Sequence, residues 1–244
     1  MTETMKHFKL RTDLTIKVGL KTLYRIEATK EITKFGVKVG DLGGYIEKEE
    51  NLYGDAWVSG DAKVYGNAKV YGNAKVYEDA WVYGDAWVSG DAKVYGNAKV
   101  YEDACVSGDA RVSGDARVCG NARVYGNALV SGDACVSGDA NVSGNAEVSG
   151  DARVSGDANV SGNAEVYGDK IEKENDLINI TSNAGSYNIT ITPNHIKIGC
   201  QYHSKTAWFK ITENKIRKMD GQKAVDWWKT WKPILISICD GLKR

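Results

Sequence analysis

Residues 58–75 read VSGDAK, VYGNAK and VYGNAK, which are three copies of one six-residue unit. The unit continues from Leu52 to Val166 without an insertion or a deletion. Self-similarity at a fixed period is typical of solenoids, because each copy forms one structural unit that stacks on its neighbours. The repeat therefore decides the architecture of about half of the chain.

The chemistry of the hexad, numbered here from the valine as place one, predicts a short strand followed by a corner. Valine is β-branched and suits a strand that is buried on one face. Glycine at place three, and aspartate or asparagine at place four, tolerate the left-handed backbone that a sharp corner needs. Alanine at place five is small enough for a crowded corner, while places two and six point outward.

The unit resembles the bacterial transferase hexapeptide repeat, in which a small residue follows an aliphatic residue four places later. Glycine stands third here, whereas many members of that family have it second. The resemblance implies an all-β solenoid, a left-handed parallel β-helix with three hexads per turn. Counted from Ile46 to Ile171, the hexads would make about seven turns, with open ends that need covers.

The repeat has non-repeat segments on both sides, so we predict an N-terminal cap over 1–45, a β-helix over 46–171 and a C-terminal α+β module over 172–244. The cap is expected to hold three short strands, at 8–10, 14–16 and 22–26. The module should contain a hairpin of 189–191 with 196–198. A helix should follow from Asp220, with a kink or restart at Pro233.

Charge is divided unevenly along the chain. The β-helix carries 20 acidic and 11 basic residues, while both flanking segments are basic. An acidic coil is a poor nucleic-acid groove. The simplest interpretation is a solvated acidic surface, and the more specific alternative is a protein that mimics DNA.

Cysteines and targeting signals bear on the compartment. The sequence shows no signal peptide and no apolar run long enough to span a membrane. Threading places Cys105, Cys119 and Cys135 at outward positions on different columns, too far apart to bridge. We expect a reduced, cytoplasmic protein.

The segment VGDLGGYIEKEEN (39–51) leads into GDAWV-type repeats. In the tail, the segments IGC (198–200), MDG (219–221) and WW (227–228) follow one another. Both regions resemble hexapeptide-repeat proteins encoded by bacteriophages and prophages. That resemblance implies action in the cytoplasm of an infected bacterium. It brings no defined activity.

Enzymes of the hexapeptide superfamily are mostly acyltransferases, and the resemblance implies a histidine base near a trimer interface, often with a projecting loop. The coil has neither a histidine nor an inserted loop. The histidines, His7, His195 and His203, are expected to be ordinary surface or hairpin residues. We therefore expect no catalytic residue, no cofactor and no metal, and a single Cys200-x-x-His203 lacks the second ligand pair of a zinc site.

Outward residues eighteen apart should stack into columns. In the first four turns these places hold aromatic residues and lysines, and in the last three mostly small polar or charged residues. Three tyrosine ladders are predicted: Tyr65–Tyr83–Tyr101, Tyr53–Tyr71 and Tyr77–Tyr95.

Aromatic ladders are ordinary sheet stabilisers, and the alternatives are a protein interface and a ligand-binding surface. Aromatic faces beside lysines suit a planar anion such as a nucleotide. The candidate residues for binding a ligand or partner are Trp57, Trp81, Trp87, Tyr65, Tyr83, Tyr101, Lys63 and Lys99.

Two further patterns leave alternatives open. The corner column of Asp61, Asp79, Asp115, Asp133, Asp151 and Asp169 indicates solubility, or else weak binding of a cation or a basic partner. The tail tryptophans indicate either core packing or an oligomer interface, since tryptophan is enriched in such contacts: Trp227, Trp228 and Trp231.

These observations favour a non-enzymatic, phage-encoded binding protein that binds a host component or sequesters a small ligand, to blunt a host defence. A homotrimer is expected from the superfamily resemblance. An acyltransferase-like enzyme and a structural virion part are the alternatives.

Overall fold

The computed structural model describes residues 6–180 and 187–241 of the chain. The N-terminal cap is built from β1 (Phe8–Val18), β2 (Lys21–Ala28) and β3 (Leu42–Ile46). The expectation of three short strands before residue 27 is wrong, because β1 runs as one strand past a register shift between Arg11 and Thr15. Short 3-10 turns follow at Thr33–Phe35 and Glu49–Asn51.

The coil consists of very short parallel strands that form three sheets. Sheet A runs in the order β1-β2-β3-β5-β8-β11-β14-β17-β20-β23, so it continues the cap hairpin. Its coil strands are β5 (Lys63–Val64), β8 (Trp81–Val82), β11 (Lys99–Val100), β14 (Arg117–Val118), β17 (Cys135–Val136), β20 (Arg153–Val154) and β23 (Lys170–Ile171).

The other two coil sheets have the same parallel pairing. Sheet B contains β4 (Trp57–Val58), β7 (Lys75–Val76), β10 (Lys93–Val94), β13 (Arg111–Val112), β16 (Leu129–Val130), β19 (Glu147–Ser149) and β22 (Glu165–Tyr167). Sheet C contains β6 (Lys69–Val70), β9 (Trp87–Val88), β12 (Cys105–Val106), β15 (Arg123–Val124), β18 (Asn141–Val142) and β21 (Asn159–Val160). The predicted parallel β-solenoid of about seven turns is confirmed, and its left-handed sense stays a prediction.

The hexad explains this lattice. From Ala56 to Val166 the alanines at place five and the valines at place one are fully buried, so they form the core. Corner glycines have positive φ, and a Cβ on Gly108 would lie 3.0 Å from the backbone nitrogen of Gly126 one turn on. Glycine therefore serves both the left-handed backbone and the close stacking of corners.

Two corners replace glycine with glutamate and compensate for it. Glu78 and Glu102 have φ of 61° and 60°. Each carboxylate accepts a hydrogen bond from the backbone N–H one turn on, at 2.8 Å from Gly96 and 2.7 Å from Gly120. A charge-assisted bond to an amide offsets the strain of a left-handed L-residue.

Asparagine at place four links successive corners. Asn97 Nδ2 donates to Asp115 Oδ1 at 3.0 Å, and Asn121 Nδ2 donates to Asp139 Oδ1 at 2.9 Å. The asparagine side-chain amide donates a hydrogen bond to the neighbouring aspartate, whereas a second aspartate at that place would repel it. The alternation of Asp and Asn therefore stabilises the corner columns.

The cap closes the first turn of the coil. Phe8 and Ile26 belong to the same buried cluster as the coil valines. A Cβ on Gly43 would lie 2.5 Å from the carbonyl oxygen of Val58, so only glycine lets the cap pass this close. The cap and the coil consequently share one hydrophobic core.

The C-terminal module packs an antiparallel sheet against helices. Its strands are β24 (Ile178–Ile180), β25 (Ile189–Ile191), β26 (His195–Ile198) and β27 (Gln201–Ser204), in sequence order. They follow a 3-10 turn at Glu174–Asp176. The predicted hairpin of β25 and β26 is formed, and it lies within a four-stranded sheet.

Two helices complete the module, α1 (Lys205–Phe209) and α2 (Glu213–Gly241). The non-helical backbone angles within α2 lie at Asp220 and Gly221, so the expected restart at Pro233 is wrong. Gly221 has a φ of 70°, which a glycine adopts without strain. Across the described ranges, neither helix has the length and apolarity that crossing a membrane requires.

Candidate functional site

The outward face of sheet A carries two neighbouring columns of side chains. Places six on β5, β8, β11 and β14 pair in register, which aligns Lys63, Trp81, Lys99 and Arg117. The column at place two runs beside it. Six of the eight candidate residues therefore share one face, here called the sheet A strip: Lys63, Tyr65, Trp81, Tyr83, Lys99 and Tyr101.

Trp81 is the centre of the sheet A strip. Lys63 Nζ lies 5.0 Å from the centroid of its ring, and Lys99 Nζ lies 5.7 Å from the same ring. The ring of Tyr65 meets it edge-on, with centroids 6.1 Å apart. An ammonium within about 6 Å of an indole face is attracted by the ring quadrupole, so Trp81 holds two cations beside it.

The tyrosines form the predicted ladder. The Tyr65 and Tyr83 rings stack with centroids 5.1 Å apart and planes 4° apart, and the Tyr83 and Tyr101 rings repeat the same geometry. Burial, with smaller effects from Tyr83 and Glu47, raises the pKa of Tyr65 to about 12. Burial likewise raises the pKa of Tyr83. The ladder is therefore neutral at physiological pH, and lysines provide the charge of the strip.

The ladder ends at a pair of thiols. Cys119 follows Tyr101 in the column, and a hydrogen bond with Cys119, followed by burial, raises the pKa of Tyr101. Burial is the largest cause that raises the pKa of Cys119, and Cys135 also hydrogen-bonds with it. Cys119 and Cys135 lie in different columns, as predicted, and both are free thiols, although a hydrogen bond brings their side chains into contact.

Trp57 and Trp87 lie outside the sheet A strip. Trp57 is buried at 2% exposure under the cap, next to the ring of His7, so it is unavailable to a ligand. The sequence missed this because the cap residues that cover Trp57 are distant along the chain. Trp87 is exposed on sheet C, with Lys69 Nζ 5.0 Å from its ring centroid and the ring of Tyr71 edge-on.

Sheet C presents a different chemistry. A shallow hollow of about 950 Å³ runs along it, with Trp87 and Arg123 among its lining residues. Three carboxylates, Asp85, Asp103 and Asp139, also line it. Trp87 thus faces a mixed-charge surface, whereas Trp81 faces two lysines.

Of the other two predicted ladders, Tyr77–Tyr95 is formed, whereas among the described residues the Tyr71 ring contacts Trp87 edge-on and does not stack on Tyr53. Tyr77 and Tyr95 stack at 4.9 Å with planes 6° apart. Lys75 Nζ lies 5.2 Å from the Tyr77 ring and 5.3 Å from the Phe35 ring of the cap. The cap therefore contacts this part of sheet B.

The tail tryptophans belong to the packing of the module. Trp228 is buried at 4% exposure and its ring lies 5.3 Å from that of Trp208. Trp227 and Trp231 are half-buried and stack on each other, with centroids 5.4 Å apart. Trp228 is consequently a core residue and offers little surface to an oligomer interface.

Asp169 lies in a different setting from the one that the sequence predicts. It was expected on an exposed corner, yet its side chain is 1% exposed where the coil meets the module. Its Oδ2 accepts hydrogen bonds from Thr192 Oγ1, from His195 Nδ1 at 2.8 Å and from Tyr202 OH at 3.0 Å. Its Oδ1 accepts from Asn194 Nδ2 at 3.0 Å.

This cluster joins the last turn to the module. Burial raises the pKa of Asp169, but hydrogen bonds from Thr192, His195 and Asn194 outweigh it, so the pKa lies below its usual value. The ring of Tyr202 stacks on that of His195, and its hydroxyl proton is shared between Asp169 and the Tyr167 carbonyl oxygen. The expectation of an ordinary hairpin histidine is therefore wrong for His195, which anchors the module to the coil.

His7 and His203 also lie in specific packing. His7 is buried in the cap, and its Nε2 lies 2.8 Å from the Ala56 carbonyl oxygen. Burial lowers its pKa, and the bond to Ala56 partly opposes this. The ring of His203 packs edge-on against Trp208. The expectation that these histidines are ordinary surface residues is wrong for His7.

The stacked hexads, covered at one end by the cap, define a class: a hexapeptide-repeat-like parallel β-solenoid with a C-terminal module. Within this class, the chain is similar to the YdcK beta solenoid repeat, which matches residues 104–120, 116–132 and 122–138. The matched residues lie in the middle of the coil and follow the sheet A strip along the chain. No curated protein matches the chain.

Proposed function

We propose that the protein is a non-enzymatic binding protein and that its sheet A strip holds a small planar anion, with a nucleotide as the chemical class. The observation that carries the proposal is Trp81, whose ring lies beside two lysine ammonium groups at 5.0 and 5.7 Å. A base can pack against the outward edges of the indole and of the stacked phenols, while the ammonium groups pair with phosphate. Every part of this recognition is a surface contact, and none requires a catalytic group.

The charge of the coil favours a small ligand over a long polyanion. The β-helix as a whole carries 20 acidic and 11 basic residues. Acidic corners flank the sheet A strip on both sides, at Asp79 on one and Asp85 on the other. A polynucleotide that extended beyond the strip would meet these carboxylates, whereas a mononucleotide or a short oligonucleotide would not.

The test is calorimetric titration of the full chain with a panel of mono-, cyclic and dinucleotides. Replacement Trp81→Ser keeps the polarity that the repeat already tolerates at place six, so the coil should fold. We expect affinity to fall about tenfold or more, which corresponds to about 1.4 kcal/mol. The matched control is Trp87→Ser, which removes an exposed tryptophan from sheet C and should leave affinity nearly unchanged.

A second control removes one whole late turn. Deletion of Val130 to Glu147 takes out eighteen residues, the spacing that joins neighbouring corners, so the lattice is preserved. Binding should persist in this variant. The proposal fails if no nucleotide binds the folded chain, or if the late-turn deletion abolishes binding that Trp81→Ser leaves intact.

The biological setting remains a prediction from resemblance. Phage origin, action in the host cytoplasm and the blunting of a host defence would be checked by plaque formation on defended and undefended bacteria with and without the gene. The alternative of an acyltransferase-like enzyme predicts turnover of acetyl-CoA with an amine panel. The alternative of a virion part predicts the protein in purified particles.

A further inference from the structure

The C-terminal module contains a second concave surface that the proposed function does not use. It is a partly enclosed cavity of about 240 Å³ between β26, β27 and α2. This volume lies below the ~300–1,000 Å³ of sites for drug-sized ligands, so a compact group fits it. Its aromatic lining residues are Tyr187, Trp208, Trp227 and Trp228.

The aromatic walls meet at steep angles. The Tyr187 and Trp227 rings are 87° apart with centroids 4.9 Å apart, so one ring presents its edge to the other. The Trp208 and Trp228 rings lie 38° apart at 5.3 Å. Indole and phenol faces carry negative electrostatic potential, and several of them around one cavity favour a cation without requiring an ion pair.

A single carboxylate completes the cavity. Among the described residues that line it, Asp220 is the only one with a formal charge. Asp220 stands at the break in α2, where the φ of Gly221 is 70°. Its Oδ2 accepts a hydrogen bond from Tyr187 OH at 2.5 Å, which fixes the carboxylate against an aromatic wall.

Protonation keeps this wall neutral. Burial, together with the hydrogen bond and charge of Asp220, raises the pKa of Tyr187 to about 12. Lys232 Nζ lies 5.9 Å from the Trp228 ring centroid, but Lys232 is not among the residues that line the cavity. The formal charge on the described wall of the cavity is therefore that of Asp220 alone.

We propose that this cavity binds a compact alkylammonium cation, of which the trimethylammonium group of choline is the simplest test case. The aromatic rings enclose the methyl groups, whose burial is favourable. A quaternary nitrogen has no N–H group to donate, so Asp220 attracts the cation through its charge alone. A neutral group of the same shape would gain the burial but lose the cation–π and ionic attraction.

The experiment titrates the full chain with choline and with its neutral isostere 3,3-dimethyl-1-butanol, followed by calorimetry and tryptophan fluorescence. We expect saturable binding of choline that is at least tenfold tighter than that of the isostere. Replacement Asp220→Asn should weaken choline about fivefold or more and leave the isostere unchanged. It retains an acceptor for Tyr187 OH, so the helix break should survive, which circular dichroism would verify.

The matched control is Asp226→Asn, because Asp226 is an exposed carboxylate on the same helix that bonds to Gln222 and does not line the cavity. Choline affinity should be unchanged in that variant. Equal binding of choline and the isostere would overturn the proposal, as would the absence of saturable choline binding to the folded chain. Failure here leaves nucleotide binding on the sheet A strip untouched, since the two sites share no residue.

Discussion

Replacement of Asp169 by asparagine should loosen the C-terminal module from the coil. The carboxylate is buried and accepts four hydrogen bonds, three on Oδ2 and one on Oδ1. An asparagine of the same shape keeps one acceptor oxygen and turns its NH₂ group toward at least one donor. If the oxygen faces Thr192, His195 and Tyr202, the amide of Asn194 loses its partner.

The magnitude follows from these contacts. A buried donor left without a partner costs about 1–3 kcal/mol, and the remaining bonds weaken because the acceptor is no longer charged. We therefore expect a loss of about 2–4 kcal/mol, close to the ~3–5 kcal/mol of a broken buried ion pair. The side chain is 1% exposed, so solvent screening does not reduce this figure.

Hydrogen–deuterium exchange in a urea series measures the effect, because it reports coil peptides and module peptides separately. Asp169→Asn should lower the opening free energy of the module while leaving the early turns unchanged. The matched control is Asp151→Asn, whose side chain lies on an exposed corner one turn earlier and which should stay within about 0.5 kcal/mol of the parent protein. Indistinguishable effects of the two substitutions would refute the reasoning.

The same carboxylate predicts a dependence on pH. Its pKa is lower in the folded chain, so the stability it confers is present above its unfolded pKa of about 3.9. That stability is lost as pH falls through the folded value. The module should therefore release from the coil in acid, below about pH 4, and Asp169→Asn should flatten this dependence.

Three further predictions concern the corners, the cap and assembly. Glu102→Ala and Glu102→Gly both lose the bond to Gly120, but only glycine relieves the strain of the left-handed backbone. Urea unfolding should therefore find Glu102→Gly more stable than Glu102→Ala by about 1 kcal/mol. Because burial lowers the pKa of His7, the cap should lose stability as pH falls below about 6.5; thermal melts of His7→Gln that keep the same pH profile would contradict this. We expect a homotrimer, and light scattering that finds one species near 26.6 kDa would exclude it.

The coil was predictable because its information is local. Each hexad carries its own strand, corner and core residue, and the same local rule places the stacked rings of Tyr65, Tyr83 and Tyr101. The glutamates at 78 and 102 fit the rule as well, since the bond that compensates them comes from one turn on. A period of eighteen residues was sufficient to place these contacts.

What the sequence did not predict depends on contacts between distant segments. Trp57 looks like an outward residue of the first turn, but the cap folds over it. Asp169 looks like the last member of an exposed column, but the last turn is one residue shorter, so Asp169 takes the inward place that alanine holds elsewhere. Its partners there lie 23 to 33 residues further along and belong to the module. In α2, the break falls at Asp220 and Gly221, where Asp220 also accepts a hydrogen bond from Tyr187, whereas Pro233 lies inside the helix.

The register of the coil has a consequence for the gene that encodes it. Neighbouring hexads are nearly identical, so misaligned recombination between their codons should gain or lose whole copies. A change of three copies restores every column, and each surviving corner again meets a partner eighteen residues away. A change of one or two copies keeps the buried valines but moves lysines and tyrosines onto another face. In lineages that are passaged under selection for the sheet A strip, length variants should therefore differ by three hexads, which is one full turn. Without that selection, variants should differ by single hexads.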